Sequence, residues 1–203
     1  CSFRRPCVSF GAGMAITELS RFTFGDMTAI YLIDGDDSHV GFHLVPTDAL
    51  PAVALRRETL KGQMDVDLLP PQMGYPPAWR VDPLVQLSVR DGGGPGGFSR
   101  GKTMRGGPSQ DRLVFESQQE GSKAATRRVE TRLSSSDGLA VSHVVTWKDG
   151  DPFVSLAQTL LNAGGSAVTI DMVSSFTLSH ISPFADADAP RRLRVHRFRA
   201  DWS

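Results

Sequence analysis

The chain has 203 residues, enough for one sizeable core or two small ones. Lys+Arg and Asp+Glu each number 22, so the formal net charge is zero, and the hydrophobic (40%) and charged (22%) fractions are ordinary for a globular domain. This balance excludes a global electrostatic attraction to nucleic acid or to an anionic membrane. No apolar run is long enough to cross a bilayer as a helix.

Residues 1–19 read as an N-terminal extension. Cys1 and Cys7 are the only cysteines and both lie in it, so they form neither a disulfide framework nor a zinc site. The first residues lack the apolar stretch of a signal peptide. Cys1 leaves open a lipidated start, Met14 is a candidate natural start, and the expected compartment is cytoplasmic.

From residue 20 the pattern is that of strands. Thr28–Ile33 and His39–Val45 read as two strands around Asp34-Gly35-Asp36-Asp37. Residues 46–83 hold seven prolines and read as loop, with a short helical piece at 52–60. Leu84–Arg90 resumes a strand, and Gly92-Gly93-Gly94-Pro95-Gly96-Gly97 then makes a loop.

The second half alternates more strongly. Ala125–Leu133 reads as a strand. Leu139, Val141, Val145 and Trp147 alternate with Ala140, Ser142, Thr146 and Lys148, which places His143 on the apolar face. Phe153–Leu161 follows. Val168, Ile170, Met172, Phe176 and Leu178 then alternate with Thr169, Asp171, Ser175 and Thr177. The separators are Ser134-Ser135-Ser136-Asp137-Gly138, Lys148-Asp149-Gly150-Asp151-Pro152 and Asn162-Ala163-Gly164-Gly165, with Asp149-Gly150 favouring a tight hairpin. Four successive strands with short polar turns predict an antiparallel meander. The fold class is therefore all-β, an antiparallel sandwich over 20–203 with long Pro/Gly-rich loops.

Few motifs carry chemistry. Gly96-Gly97-Phe98-Ser99-Arg100-Gly101-Lys102-Thr103 matches a phosphate-binding loop, but Gly106-Gly107-Pro108 oppose the helix that such a loop must open. The reading there is a Gly-rich connection, although Ile30–Asp34 has the look of the acidic strand that accompanies such loops. The clusters Asp34/Asp36/Asp37 and Asp186/Asp188 do not follow calcium-loop spacing. Among the scattered histidines, His39 and His43 are expected on one face of one strand, as a structural pair and not a metal pair. No nucleophile elbow and no cysteine nucleophile is present. The basic stretch 191–199, with five arginines and His196, reads as a strand with a solvated face. Trp79, beside Tyr75 in the Pro-rich loop, is the one candidate substrate-binding residue: an exposed indole can stack on a sugar face. Its competing role is to plug the sandwich edge. No catalytic residue, metal ligand or cofactor is assigned.

Three stretches together resemble the N-terminal domain of α-galactosidases of glycoside hydrolase family 36. They are Asp82-Pro83-Leu84-Val85-Gln86-Leu87 followed by Phe98–Met104; Leu139–Trp147 followed by Asp151–Asn162; and Ser174-Ser175-Phe176-Thr177-Leu178 followed by Leu193–Trp202. The chain departs from the family pattern at Gln72, where an acidic residue is frequent, and at Ala157, where an arginine is common. The resemblance spans 20–203. It implies a β-supersandwich of the galactose-mutarotase-like kind, belonging to a retaining enzyme that removes terminal α-linked galactose. It further implies that both catalytic aspartates sit on a (β/α)₈ barrel downstream of Ser203, so these residues alone are expected to be inactive. The expected partners are that barrel and α-galactosides, with no nucleic acid and no membrane, and with room for a homo-oligomer. Two other readings compete: a free-standing carbohydrate-binding sandwich, which needs aromatics aligned on an exposed sheet face, and a mutarotase-like epimerase, which needs an acid/base pair inside the sandwich.

Overall fold

A computed structural model describes residues 16–35, 38–51, 83–90, 109 and 112–178. Nine strands lie among them: β1 (Ile16–Phe24), β2 (Met27–Asp34), β3 (Val40–Pro46), β4 (Leu87–Val89), β5 (Val114–Lys123), β6 (Thr126–Ser134), β7 (Leu139–Lys148), β8 (Ser155–Asn162) and β9 (Ile170–Val173). A 3₁₀ turn at Thr47–Ala49 runs on into helical Leu50 and Pro51. Every described strand pairing is antiparallel. The fold is all-β, as the alternation predicts.

The strands form three sheets: β1-β2-β3, β5-β6-β7-β8, and the short pair β4-β9. The first two are meanders, because each strand is joined to the next by a short connection. One continuous core lies between them. Phe24, Ala29, Tyr31, Val40 and Phe42 come from the three-stranded sheet. Val129, Leu133, Leu139, Val141 and Val145 come from the four-stranded one, and Leu84, Val85, Leu87 and Val89 close one side. Burying these apolar faces is the main force that holds two otherwise marginal sheets together. The far face of the three-stranded sheet is also apolar: Ile30, Leu32 and Val45 form a second cluster, with Leu50 packed on it.

Two strands stand where alternation predicts none. β1 lies across the expected boundary at residue 20, and a register shift between Glu18 and Ser20 breaks its period. β5 (VFESQQEGSK) is mostly polar and half-buried at best. Its turn to β6 is Ala124-Ala125, with Ala124 at φ +52°, so no Gly, Asn or Asp marks the hairpin.

Three other expectations need correction. The meander is β5 to β8, so the strand read at 168–178 is not its last member. Only Ile170–Val173 is extended there, and it pairs with β4. The Asp149-Gly150 turn does not close a tight hairpin, and β8 begins at Ser155. The intervening residues fold back, so that Asp151 O accepts a 2.9 Å hydrogen bond from Trp147 Nε1. Finally, His39 precedes β3 and does not share a strand with His43, which is buried opposite Ile30. The expected helical piece at 52–60 lies outside the described residues.

Candidate functional site

Strand register assembles the most unusual part of the interior. Gln118 on β5 stands opposite Thr131 on β6, Thr131 opposite His143 on β7, and His143 opposite Gln158 on β8. Side chains directly opposite share a face of a sheet, so these four form one polar row across the inner face. On β6, β7 and β8 the rows on either side are apolar: Val129, Val145 and Leu156 on one, Leu133, Val141 and Leu160 on the other. Thr131 and His143 are completely buried.

The outer part of the row is well bonded. Ser20 Oγ donates to Gln118 Oε1 at 2.5 Å, and Gln118 Nε2 donates to Thr131 Oγ1 at 2.9 Å. The inner part is not. Both ring nitrogens of His143, the Tyr31 hydroxyl and Gln158 Oε1 are buried without a hydrogen-bond partner. The Thr131 hydroxyl lies near that of Tyr31 and offsets a little of the effect of burial, but the geometry falls short of a hydrogen bond. Burial holds the Tyr31 phenol far above its ordinary pKa. Burial also holds the His143 imidazole down, at about 4. The Phe42 and Tyr31 rings close over His143, with centroids at 5.3 and 6.3 Å.

The row ends at a cleft. Val141, Leu156–Leu160 and Val173–Ser175 line a depression of about 360 Å³ between β8 and the strand end of β9. Gln158 forms part of its wall and anchors it, donating from Nε2 to Leu84 O at 3.2 Å. On the opposite wall Ser174 N donates to Gln86 O, and Gln86 N donates to Ser174 Oγ. Near the cleft Val173 (46%) and Phe176 (56%) remain exposed, and Leu161 (54%) is exposed on the other, outer face of β8. β8 itself (SLAQTLLN) carries no charge, proline or glycine, and among the described residues it pairs only with β7.

No protein family, curated protein or solved structure matches the chain.

The far end of β8 is locked by a turn-to-turn contact. Asn162 Oδ1 accepts from Gly164 N at 3.0 Å, and its Nδ2 donates to Ser166 O at 2.9 Å, so the Asn-x-Gly stretch is an Asx turn. That turn sits against the β6–β7 turn, where Gly138 has φ +92° and a Cβ would come within 2.5 Å of Gly164 N. Two glycines are needed here because two backbones touch.

The outer face of the four-stranded sheet is mostly polar, with Val144 and exposed Leu161 among its residues. Glu130 accepts from Ser142 Oγ at 2.5 Å and pairs with Arg128 at 2.6 Å, and these two partners hold its carboxyl below the usual carboxylate range. Its neighbours on that face are Gln119, Arg132, Val144, Thr146, Ala157 and Thr159, and no aromatic stands among the described residues there. Ala157 is exposed on β8. Trp147 is half-buried against the core, 6.3 Å from Phe24.

Trp79, the candidate sugar-stacking residue, lies outside the described residues, as do Tyr75, Gln72, the Gly96–Thr103 loop, Asp186/Asp188 and 191–199. Among the described residues no group of three or more His, Cys, Asp or Glu is placed to hold a metal ion. None of their helices is long and apolar enough to cross a membrane. The polar row was only partly announced by sequence: His143 on an apolar face is readable, but its alignment with Gln118, Thr131 and Gln158 is a product of register.

Proposed function

We propose that this chain is a non-catalytic β-sandwich domain of an α-galactosidase-like retaining glycoside hydrolase, and that β8 with its cleft is the side that packs on the catalytic domain. The observation that carries this reading is the β8 edge, which among the described residues has no second partner strand, beside exposed Val173 and Phe176. A strand with free backbone groups and apolar neighbours is a surface made for cover. The resemblance to glycoside hydrolase family 36 supports the same assignment and names the substrate class, terminal α-linked galactose.

The two competing readings draw less support from the described residues. A carbohydrate-binding sandwich would want an aromatic platform, and among the described residues no aromatic stands on the outer face of the four-stranded sheet. An epimerase would want an acid/base pair, and His143 faces Thr131, Gln158 and two aromatic rings with no carboxylate in its row.

The test is release of nitrophenol from p-nitrophenyl α-galactoside. The 203-residue chain is compared with the polypeptide extended through the coding sequence downstream of Ser203. Turnover by the extended protein alone supports the reading. Turnover by the short chain, or by neither, overturns it.

A further inference from the structure

His143 is the only ionisable member of the polar row, and four described strands bring a side chain against or opposite it. β2 contributes Tyr31, β3 contributes Phe42, β6 contributes Thr131 and β8 contributes Gln158. Of these only Tyr31 titrates, and burial keeps its phenol protonated, so it offers no negative charge. The nearest inner-face carboxylate along the sheet is Glu120 on β5, opposite Val129 in the next row, and it is paired with Arg127 at 2.5 Å. His43 on β3 lies on the other face of its sheet, opposite Ile30. His143 has no exposed surface, so water cannot solvate it. Among the described residues an imidazolium here would have no counter-ion and no exposed surface, and the acceptors beside it, the Gln158, Thr131 and Tyr31 oxygens, are all neutral and none is hydrogen-bonded to the ring.

We propose that His143 is an acid-sensitive latch: the sandwich closes only over the neutral imidazole, and proton uptake drives the four-stranded sheet away from the three-stranded one. The proposal is independent of the glycosidase reading, because it rests only on the interior of the described strands. The low pKa imposed by burial fixes the window and the sign. In the open chain the imidazole takes up a proton near its ordinary 6.5, and in the closed sandwich near 4. The closed state therefore has its full advantage above about pH 6.5 and loses it as pH falls toward 4. Across that window the opening constant should rise roughly tenfold per pH unit from this group alone.

The experiment is urea unfolding of the 203-residue chain at pH 7.5, 6.5, 5.5 and 4.5, for wild type, His143→Gln and His143→Met. Carboxylates that titrate near the acid end are common to all three proteins and cancel in the difference. The expected result is that the variants lose about one proton's worth of pH dependence between pH 6.5 and 4.5, a relative gain on the order of 10²-fold in the folding constant at the acid end. Nitrogen NMR of labelled histidine in folded wild type keeps the test decisive if a variant does not fold: the His143 ring should stay neutral to about pH 5. A variant with the wild-type pH slope, or a folded-state imidazole that titrates near 6.5, would overturn the proposal.

Discussion

The two edges of the four-stranded sheet are built on opposite rules. β5 carries Glu116, Glu120 and Lys123, contains Gly121, and has a register shift between Phe115 and Ser117. β8 pairs with β7 without any shift and carries no charge at all. Charges and bulges are how an exposed edge is kept from pairing with another strand. One edge of this sheet is defended and the other is not. An edge that is undefended among the described residues, beside a cleft and exposed Val173 and Phe176, is the difference that the proposed packing on a catalytic domain uses.

The comparison can be broken at several places. The largest effect is expected at the end of β8. Gly138→Ala places a Cβ against the Gly164 backbone at a φ of +92°, so both strain and clash act together. It should cost about 2–4 kcal/mol in chemical denaturation of this chain. Next is a charge introduced on the undefended edge. Thr159→Lys should leave the stability of the chain within about 0.5 kcal/mol, yet weaken its association with a separately expressed downstream domain by roughly tenfold in calorimetric titration. The matching change on the defended edge, Gln119→Lys, should leave that affinity unmoved. Equal losses from both would remove the distinction between the edges.

A smaller effect is expected at the β5–β6 turn. Ala124 sits at φ +52°, where a Cβ is disfavoured. Ala124→Gly should stabilise the chain by about 0.5–1 kcal/mol in thermal or urea unfolding, because relief of the left-handed strain exceeds the added chain entropy.

These same places explain what the sequence reveals. β6, β7 and β8 are legible because each has a buried face that alternates with a more exposed one, β2 and β3 because they are apolar runs buried on both faces, and His143 is legible as an inward residue because it falls on the buried alternation of β7. β5 is not, since only Phe115 and Gln118 turn a substantial side chain inward near its start and its turn residues are alanines. β1 hides behind its own register shift. The pairing of β9 with β4 spans some eighty residues of chain, and period-two alternation says nothing about which distant strand is the partner. The polar row has the same character: four residues, each unremarkable in its own strand, meet only because the register aligns them. The lack of charge in β8 can be read directly, but its meaning depends on β8 being an edge. The sugar-stacking role given to Trp79 lies outside the described residues and rests on sequence alone.

Hydrogen exchange compares the two edges most directly. Backbone amides of β5 and β8 are followed in the 203-residue chain and in the polypeptide extended past Ser203. The account predicts that β8 amides facing away from β7 exchange readily in the short chain and become protected in the extended one, while β5 is the same in both. Protection that appears on β5 instead, or a β8 edge that exchanges equally in both proteins, would contradict it.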